Sequence, residues 1–225
     1  MTPTHVLIVS GGMDSATLAH ETVKDGGSPL LLTFDYGQRH KKEIDYARLL
    51  GIDVGAPHKV IDLSSVNQIL GGSALTDDSI EVPEGHYAAD NMASTVVPNR
   101  NAIMLSVAYG AAVSLKCPIV GAAMHSGDHV VYPDCRPEFV KAFQKMEKIA
   151  TEGYSHADLS FWTPYIEMSK AQIATRGLEL GIDYSRTWSC YKGGELHCGR
   201  CGTCFERKEA FCLIGVEDPT DYERK

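Results

Sequence analysis

Val6-Leu-Ile-Val9-Ser10-Gly-Gly-Met-Asp-Ser15 is the stretch whose reading decides the fold. Its first four residues are apolar and β-branched or leucine, the pattern of a strand buried on both faces. Two glycines then break it, and helical spacing follows over 16–23. A strand, a glycine turn and a helix in that order make an anion site. Side-chain-free backbone lets N–H groups close around phosphate oxygens, and the positive end of the helix points at the same spot. Ser10 and Ser15 add hydroxyls. Asp14 repels a bare phosphate, so it is assigned to Mg²⁺ or to orienting the loop. A two-glycine turn alone would be no more than a helix cap; the whole string behind a β-branched strand is far more specific. It is not the Gly-x-x-x-x-Gly-Lys loop that holds β and γ phosphates, because the lysine is missing.

Working outward, Leu30-Leu-Leu-Thr-Phe34 reads as a second strand, 41–50 as an amphipathic helix stopped by Gly51, and Lys59-Val-Ile-Asp62 as a third strand. This β-α-β-α-β order predicts an α/β fold, a doubly wound parallel sheet with right-handed crossovers. Ligands of such sheets sit at the carboxyl ends of strands, which puts Thr33-Phe-Asp-Tyr-Gly37-Gln-Arg-His40 beside the phosphate loop. From Gly71 to Pro98 the periodicity fails; a loop that long is functional or mobile. Residues 101–116 read as a buried helix, Pro118-Ile-Val-Gly121 as a short strand, 137–149 as a helix opened by proline, and Ser169-x-x-Gln172 as a capping box.

The second strong signal is Cys190-(x7)-Cys198-x-x-Cys201-x-x-Cys204. Four thiolates at these spacings wrap one tetrahedral metal, and a four-sulfur site is closed, so a structural Zn²⁺ is expected; an iron–sulfur cluster is the alternative. His197 next to Cys198 reads as a hydrogen-bonded histidine rather than a ligand, and Cys117, Cys135 and Cys212 as small buried side chains. Residues 1–182 are expected to form the ATP-binding α/β domain, and 183–225 a helical zinc-binding lobe packed on it.

The chain has 225 residues and a formal net charge of -8, which opposes non-specific binding to nucleic acid or an anionic membrane. No apolar run reaches the roughly 18 residues of a membrane span, and the N-terminal residues lack the pattern of a secretory signal, so a cytoplasmic location is expected.

The loop resembles the pyrophosphate (PP) loop of the N-type ATP pyrophosphatases. The whole chain resembles the 7-cyano-7-deazaguanine synthase family. The match runs through Ser10–Ser15, Phe34-Asp-Tyr-Gly-Gln-Arg-His40, Val97-Pro-Asn-Arg-Asn101, Tyr132-Pro-Asp-Cys-Arg-Pro-Glu-Phe139, Thr163-Pro164, Ser169-Lys170, Leu178-Glu-Leu-Gly181, and Thr187-Trp-Ser-Cys-Tyr191 with the cysteines after it. The resemblance implies an ATP-dependent ligase that turns 7-carboxy-7-deazaguanine and ammonia into the nitrile through adenylated acid and amide. A ligase stopping at the amide, or a tRNA-modifying relative, is the alternative. It implies an ATP segment of Ile8, Val9, Ser10, Gly11, Gly12, Met13, Asp14, Ser15, Ala16, Thr17 and Leu18, zinc on the four cysteines, Mg²⁺ with ATP, and a homodimer. Arg100 and Lys170 are candidate cations for phosphate or for the substrate carboxylate, and join Ser10, Asp14 and Ser15 as catalytic candidates. Tyr132, Asp134, Arg136 and His125 are the candidate base-binding residues. Asn99 stands where the family has glycine; asparagine tolerates the left-handed backbone. His125-Ser-Gly-Asp-His129 replaces a more hydrophobic family segment and is expected at the substrate pocket.

Overall fold

A computed structural model describes residues 2–87 and 89–224. The elements run β1 (His5–Ile8), α1 (Met13–Lys24), β2 (Pro29–Asp35), α2 (Lys42–Asp53), β3 (His58–Asp62), α3 (Ala89–Met92), α4 (Arg100–Leu115), β4 (Ile119–Gly121), α5 (Pro137–Ala150), β5 (Ser160–Trp162), α6 (Lys170–Glu179) and α7 (Gly202–Leu213), with short 3₁₀ turns between. All four strand pairings are parallel, in the order β3-β2-β1-β4-β5. The chain builds outward from β1 through β2 to β3, then returns to the other side of β1 with β4. That reversal is a topological switch point, where open α/β sheets bind ligands.

The period-two alternation of β1 and β2 sends successive side chains to opposite faces. Val6, Leu30, Leu32 and Phe34 pack with Leu105, Ala108 and Tyr109 of α4 on one face. Leu7, Val9 and Leu31 pack with Ala16, Leu18 and Ala19 of α1, Ala47 and Leu50 of α2 and Ile173 of α6 on the other. Covered on both sides, β2 buries six of its seven residues, and this is why it reads as a continuous apolar run. The capping box is complete: Gln172 N donates to Ser169 Oγ (3.3 Å) and Ser169 N to Gln172 Oε1 (2.8 Å). Pro137 opens α5 as its residue types predict.

Three expectations need correcting. Helix α1 starts at Met13, three residues before the helical spacing shows. Gly51 does not stop α2, which runs on to Asp53. A Cβ at Gly51 would sit 3.0 Å from His58 Cβ, so glycine there admits β3, and Gly55, at φ 65°, makes the turn instead. Within 71–98, α3 and a 3₁₀ turn (Ala93–Thr95) interrupt the loop. The edge strand β5, three residues long, is too short to carry a periodicity of its own.

Residues 183–224 add no strand to the sheet and lie over its carboxyl edge. Trp188 N donates to Gly11 O (2.9 Å), the Tyr184 hydroxyl pairs with Thr17 Oγ1 (2.7 Å), and Glu84 bridges to Cys201. No described helix is long and apolar enough to cross a membrane.

Candidate active site

A cavity of about 260 Å³ opens at the carboxyl ends of β1, β2 and β4. Ile8, Val9, Ser10, Gly12, Met13, Asp14 and Ser15 form one wall. The first intrahelical bond of α1 is Ala16 N to Gly12 O (3.0 Å). The N–H groups of Met13, Asp14 and Ser15 therefore have no intrahelical acceptor and suit an anion. The remaining residues of the predicted ATP segment do other work. Ala16, Thr17 and Leu18 are buried in the core and do not line the cavity. Gly11 does not line it either: at φ 74°, a Cβ there would lie 2.6 Å from Ala47 N and from Glu43 O. Its missing side chain admits α2 rather than a phosphate. The Ser15 hydroxyl, read from sequence as a phosphate donor, donates to Gly12 O (3.1 Å) and accepts from Ser10 N (3.2 Å), bracing the loop.

Opposite the loop, Lys170 enters from the first turn of α6. Its ammonium lies 3.1 Å from Asp14 Oδ2 and 2.7 Å from Glu206 Oε2. Burial opposes its charge, but Asp14 and Glu206 outweigh that and hold its pKa well above the ordinary lysine value. His125 sits 2% exposed beside them. Its Nδ1 accepts from Gly127 N (3.1 Å), and its Nε2 lies 3.4 Å from Lys170 Nζ, 3.5 Å from Asp128 Oδ2 and 3.9 Å from Asp14 Oδ2. Asp14 Oδ1 is buried without a hydrogen-bond partner, an oxygen open to a cation.

The third wall is aromatic. Tyr36, Tyr87, Tyr132 and Tyr191 line it with Arg100 and Met104. Burial raises the pKa of Tyr36, Tyr87 and Tyr191, so these phenols stay protonated. Tyr87 donates to Asp128 Oδ1 (3.2 Å), and the Tyr132 hydroxyl pairs with Thr95 Oγ1 (2.7 Å). Asn99, just before α4, adopts φ 56°, the left-handed backbone for which asparagine substitutes for glycine.

Of the predicted base-binding residues, Tyr132 and His125 line the cavity, whereas Asp134 and Arg136 do not. Asp134 accepts from Asn101 N (3.2 Å) at the start of α4, and the exposed Arg136 donates through Nε to His129 O (2.7 Å). Sequence reasoning missed Glu43, Ser189, Thr203 and Glu206 on the cavity wall, and left His40 without a role, while Asp128 lines the cavity as its segment predicted. Two of the missed residues had a signal: Ser189 and Thr203 adjoin cysteines of the four-thiol cluster.

The four cysteines converge. Cys190, Cys198, Cys201 and Cys204 are buried free thiols whose sulfurs all lie within 4.8 Å of one another, with Cys198 and Cys204 4.0 Å apart. A tetrahedron of sulfurs about 2.3 Å from zinc has edges of about 3.8 Å, so the set fits one such ion. Cys198 N donates to Cys190 Sγ, and Arg200 N and Cys201 N donate to Cys198 Sγ, the contacts that thiolates want. His197 stays outside: its Nε2 accepts from Ser189 N (3.0 Å), and burial, helped by Arg207, lowers its pKa to about 4. Of the remaining cysteines, Cys117 and Cys135 are buried as expected, Cys135 beside the cavity, whereas Cys212 is exposed.

A parallel sheet with a glycine loop after its first strand and a cavity at its switch point defines a PP-loop ATP pyrophosphatase fold. A solved structure of NMN synthetase from Francisella tularensis shares it, with a TM-score of 0.55 at 15% identity over 96% of this chain and 79% of that one. The chain belongs to the family described as queuosine biosynthesis protein QueC, whose model matches residues 4–215. Relatives bearing the name 7-cyano-7-deazaguanine synthase include one from Rhizobium rhizogenes, 53% identical over 97% of this chain and 91% of its own length. Another, from Paracoccus denitrificans, is 54% identical over 97% of this chain and 92% of its own.

Proposed function

We propose that this chain is an ATP-dependent ligase that converts 7-carboxy-7-deazaguanine and ammonia into 7-cyano-7-deazaguanine. What carries the reading is one cavity that joins a pyrophosphate loop to a tyrosine-walled slot, in a chain that matches its family almost end to end. Carboxylate and amide oxygens are poor leaving groups, and adenylation makes them good ones. A carboxylate oxygen attacks the α-phosphorus, the bond to the β-phosphate oxygen breaks, and pyrophosphate departs into the N–H groups that open α1. Ammonia attacks the acyl carbon, loses a proton and expels AMP, leaving the amide. The amide oxygen then attacks the α-phosphorus of a second ATP, pyrophosphate departs as the nitrogen gives up one proton, and loss of AMP with the remaining N–H proton leaves the nitrile. The residues act by holding partners in line and meeting charge at phosphorus. Lys170 is the fixed cation for that charge, and the carboxylates of Asp128 and Glu206 are placed to accept protons released by nitrogen.

Asp14, with its unpartnered oxygen, is the residue that would hold Mg²⁺ accompanying the nucleotide. Such an ion supplies charge neutralisation on the phosphates. Cys190, Cys198, Cys201 and Cys204 would hold a structural Zn²⁺.

The test is incubation of pure protein with the acid, ATP and ammonium, followed by mass spectrometry and nucleotide chromatography. Nitrile should appear with AMP and pyrophosphate. Unchanged acid, or ADP and orthophosphate as the only nucleotide products, would sink the reading.

A further inference from the structure

The cavity wall carries four carboxylates, Asp14, Glu43, Asp128 and Glu206, and two side chains of fixed positive charge, Lys170 and Arg100. The carboxylates are all engaged away from Arg100. Asp14 and Glu206 share Lys170. Glu43 accepts from Gln38 Nε2 (2.8 Å) and lies 3.3 Å from His40 Nε2. Asp128 takes the Tyr87 hydroxyl and faces His125. Arg100 has neutral partners: Nη1 donates to the Tyr36 hydroxyl (3.2 Å), Nε reaches Asn101 Oδ1 (3.4 Å), and the guanidinium lies 5.5 Å from the centroid of the Tyr36 ring. Among the described residues no carboxylate pairs with it. A partly buried guanidinium without a counter-ion has lost water and gained no charge in exchange, so its site is completed by an anion from outside.

The neighbours say which anion. Phosphates already have the main-chain N–H groups of the loop and Lys170. Arg100 stands instead on the aromatic wall, where Tyr87 and Tyr132 lie 6.4 Å apart between ring centroids. Protonated tyrosine rings pack on a flat heterocycle, and the planar guanidinium fork matches a carboxylate in two parallel hydrogen bonds.

Resting on the reaction proposed above, we infer that Arg100 is the specificity-determining anchor of the substrate carboxylate, with the surrounding tyrosines forming the slot for its ring. Anchored so, the acid is selected by its charge in the first half-reaction. The neutral amide, which enters the second, makes no such demand.

That asymmetry supplies the experiment. Acid and amide are given separately, each with ATP, to the wild-type enzyme and to Arg100→Met and Arg100→Lys. Arg100→Met should lower kcat/KM for the acid by about 100-fold more than for the amide, mainly through KM, because a charge-assisted pair is lost. The KM for ATP should stay within about threefold, and Arg100→Lys should recover part of the loss on acid. Equal losses on acid and amide would overturn the inference, as would a loss seen in the KM for ATP, which would assign Arg100 to the nucleotide. Calorimetry on the wild-type protein gives a reading independent of any variant's folding. With a non-hydrolysable ATP analogue present, acid should bind at least about tenfold more tightly than amide, and equal affinities would contradict the anchor. Wild-type enzyme that converts neither compound would refute the reaction itself; wild-type turnover of both with a variant impaired alike on each would refute only the role of Arg100.

Discussion

The glycine loop and the four-cysteine lobe touch each other and line the same cavity, yet they are built in opposite ways. The loop is local. Residues 10–15 brace one another through the Ser15 hydroxyl, and the donors it offers are main-chain groups set by a strand and a helix that the core already holds. The lobe is assembled from a distance. It has one 3₁₀ turn and a single helix, and adds Tyr184, Trp188 and Phe211 to small apolar clusters shared with the sheet domain; the sulfurs and polar anchors complete its order. Fully buried Arg207 is the main anchor, reaching Thr187 Oγ1 (2.7 Å), Tyr184 O (2.8 Å), Ser189 Oγ (3.3 Å) and Asp218 (3.1 Å). Both regions present cavity residues, yet the first rests on the main core and the second on small shared clusters, a group of four thiols and a buried ion pair.

The widest separation between them should come from metal removal. Binding of a structural zinc is worth on the order of 10 kcal/mol and is linked to folding. A strong chelator, or Cys201→Ser, should therefore lower the thermal midpoint by at least about 15 °C and abolish AMP release. Equal midpoints with and without chelator would show that the sulfurs hold no metal. Next comes Arg207→Met, which leaves Asp218 buried without its partner. About 3–5 kcal/mol should be lost in urea unfolding. A loss under about 1 kcal/mol would mean that the cysteines alone order the lobe.

On the loop side, Gly11→Ala brings a methyl against the backbone of α2 at a positive φ. About 2–4 kcal/mol should be lost, measured by the same unfolding, because backbone must move to admit it. An unchanged midpoint would show that α2 yields easily and that the loop is less rigid than the contacts imply. The smallest effect is expected at Asn99. Asn99→Gly relieves a left-handed residue and should stabilise by about 0.5 kcal/mol with activity retained. A destabilised variant would mean that the asparagine side chain contributes more than backbone tolerance.

How far each region was legible follows from the same contrast. Ser10–Ser15 and the cysteine cluster are contiguous, so spacing alone reveals them. Glu206 is not legible in this way: it sits on α7 among other charged residues, and nothing local distinguishes it from Glu209 until α7 packs on α6 and brings it to Lys170. Asp134 and Arg136 fail for the converse reason. They belong to a family-like string, but the 3₁₀ turn before α5 directs one to the start of α4 and the other to solvent. Gly11 was read only as loop backbone open to phosphate; the constraint that α2 places on it, from some thirty residues on, has no trace in the local sequence.

The amino-acid sequence by itself determined the alternation of buried strands and helices, the turn that opens α1 toward an anion, and the grouping of four thiols. Those features depend on residues within a few positions of one another, where periodicity, backbone freedom and ligand spacing act directly. Only the tertiary structure decided which charges meet. It gave Lys170 two carboxylates and Arg100 none among the described residues, set tyrosines from four separate segments around one slot, and laid the cysteine lobe over the glycine loop. Electrostatic pairing and cavity shape depend on distances between segments far apart in the chain, and a linear pattern holds no record of those.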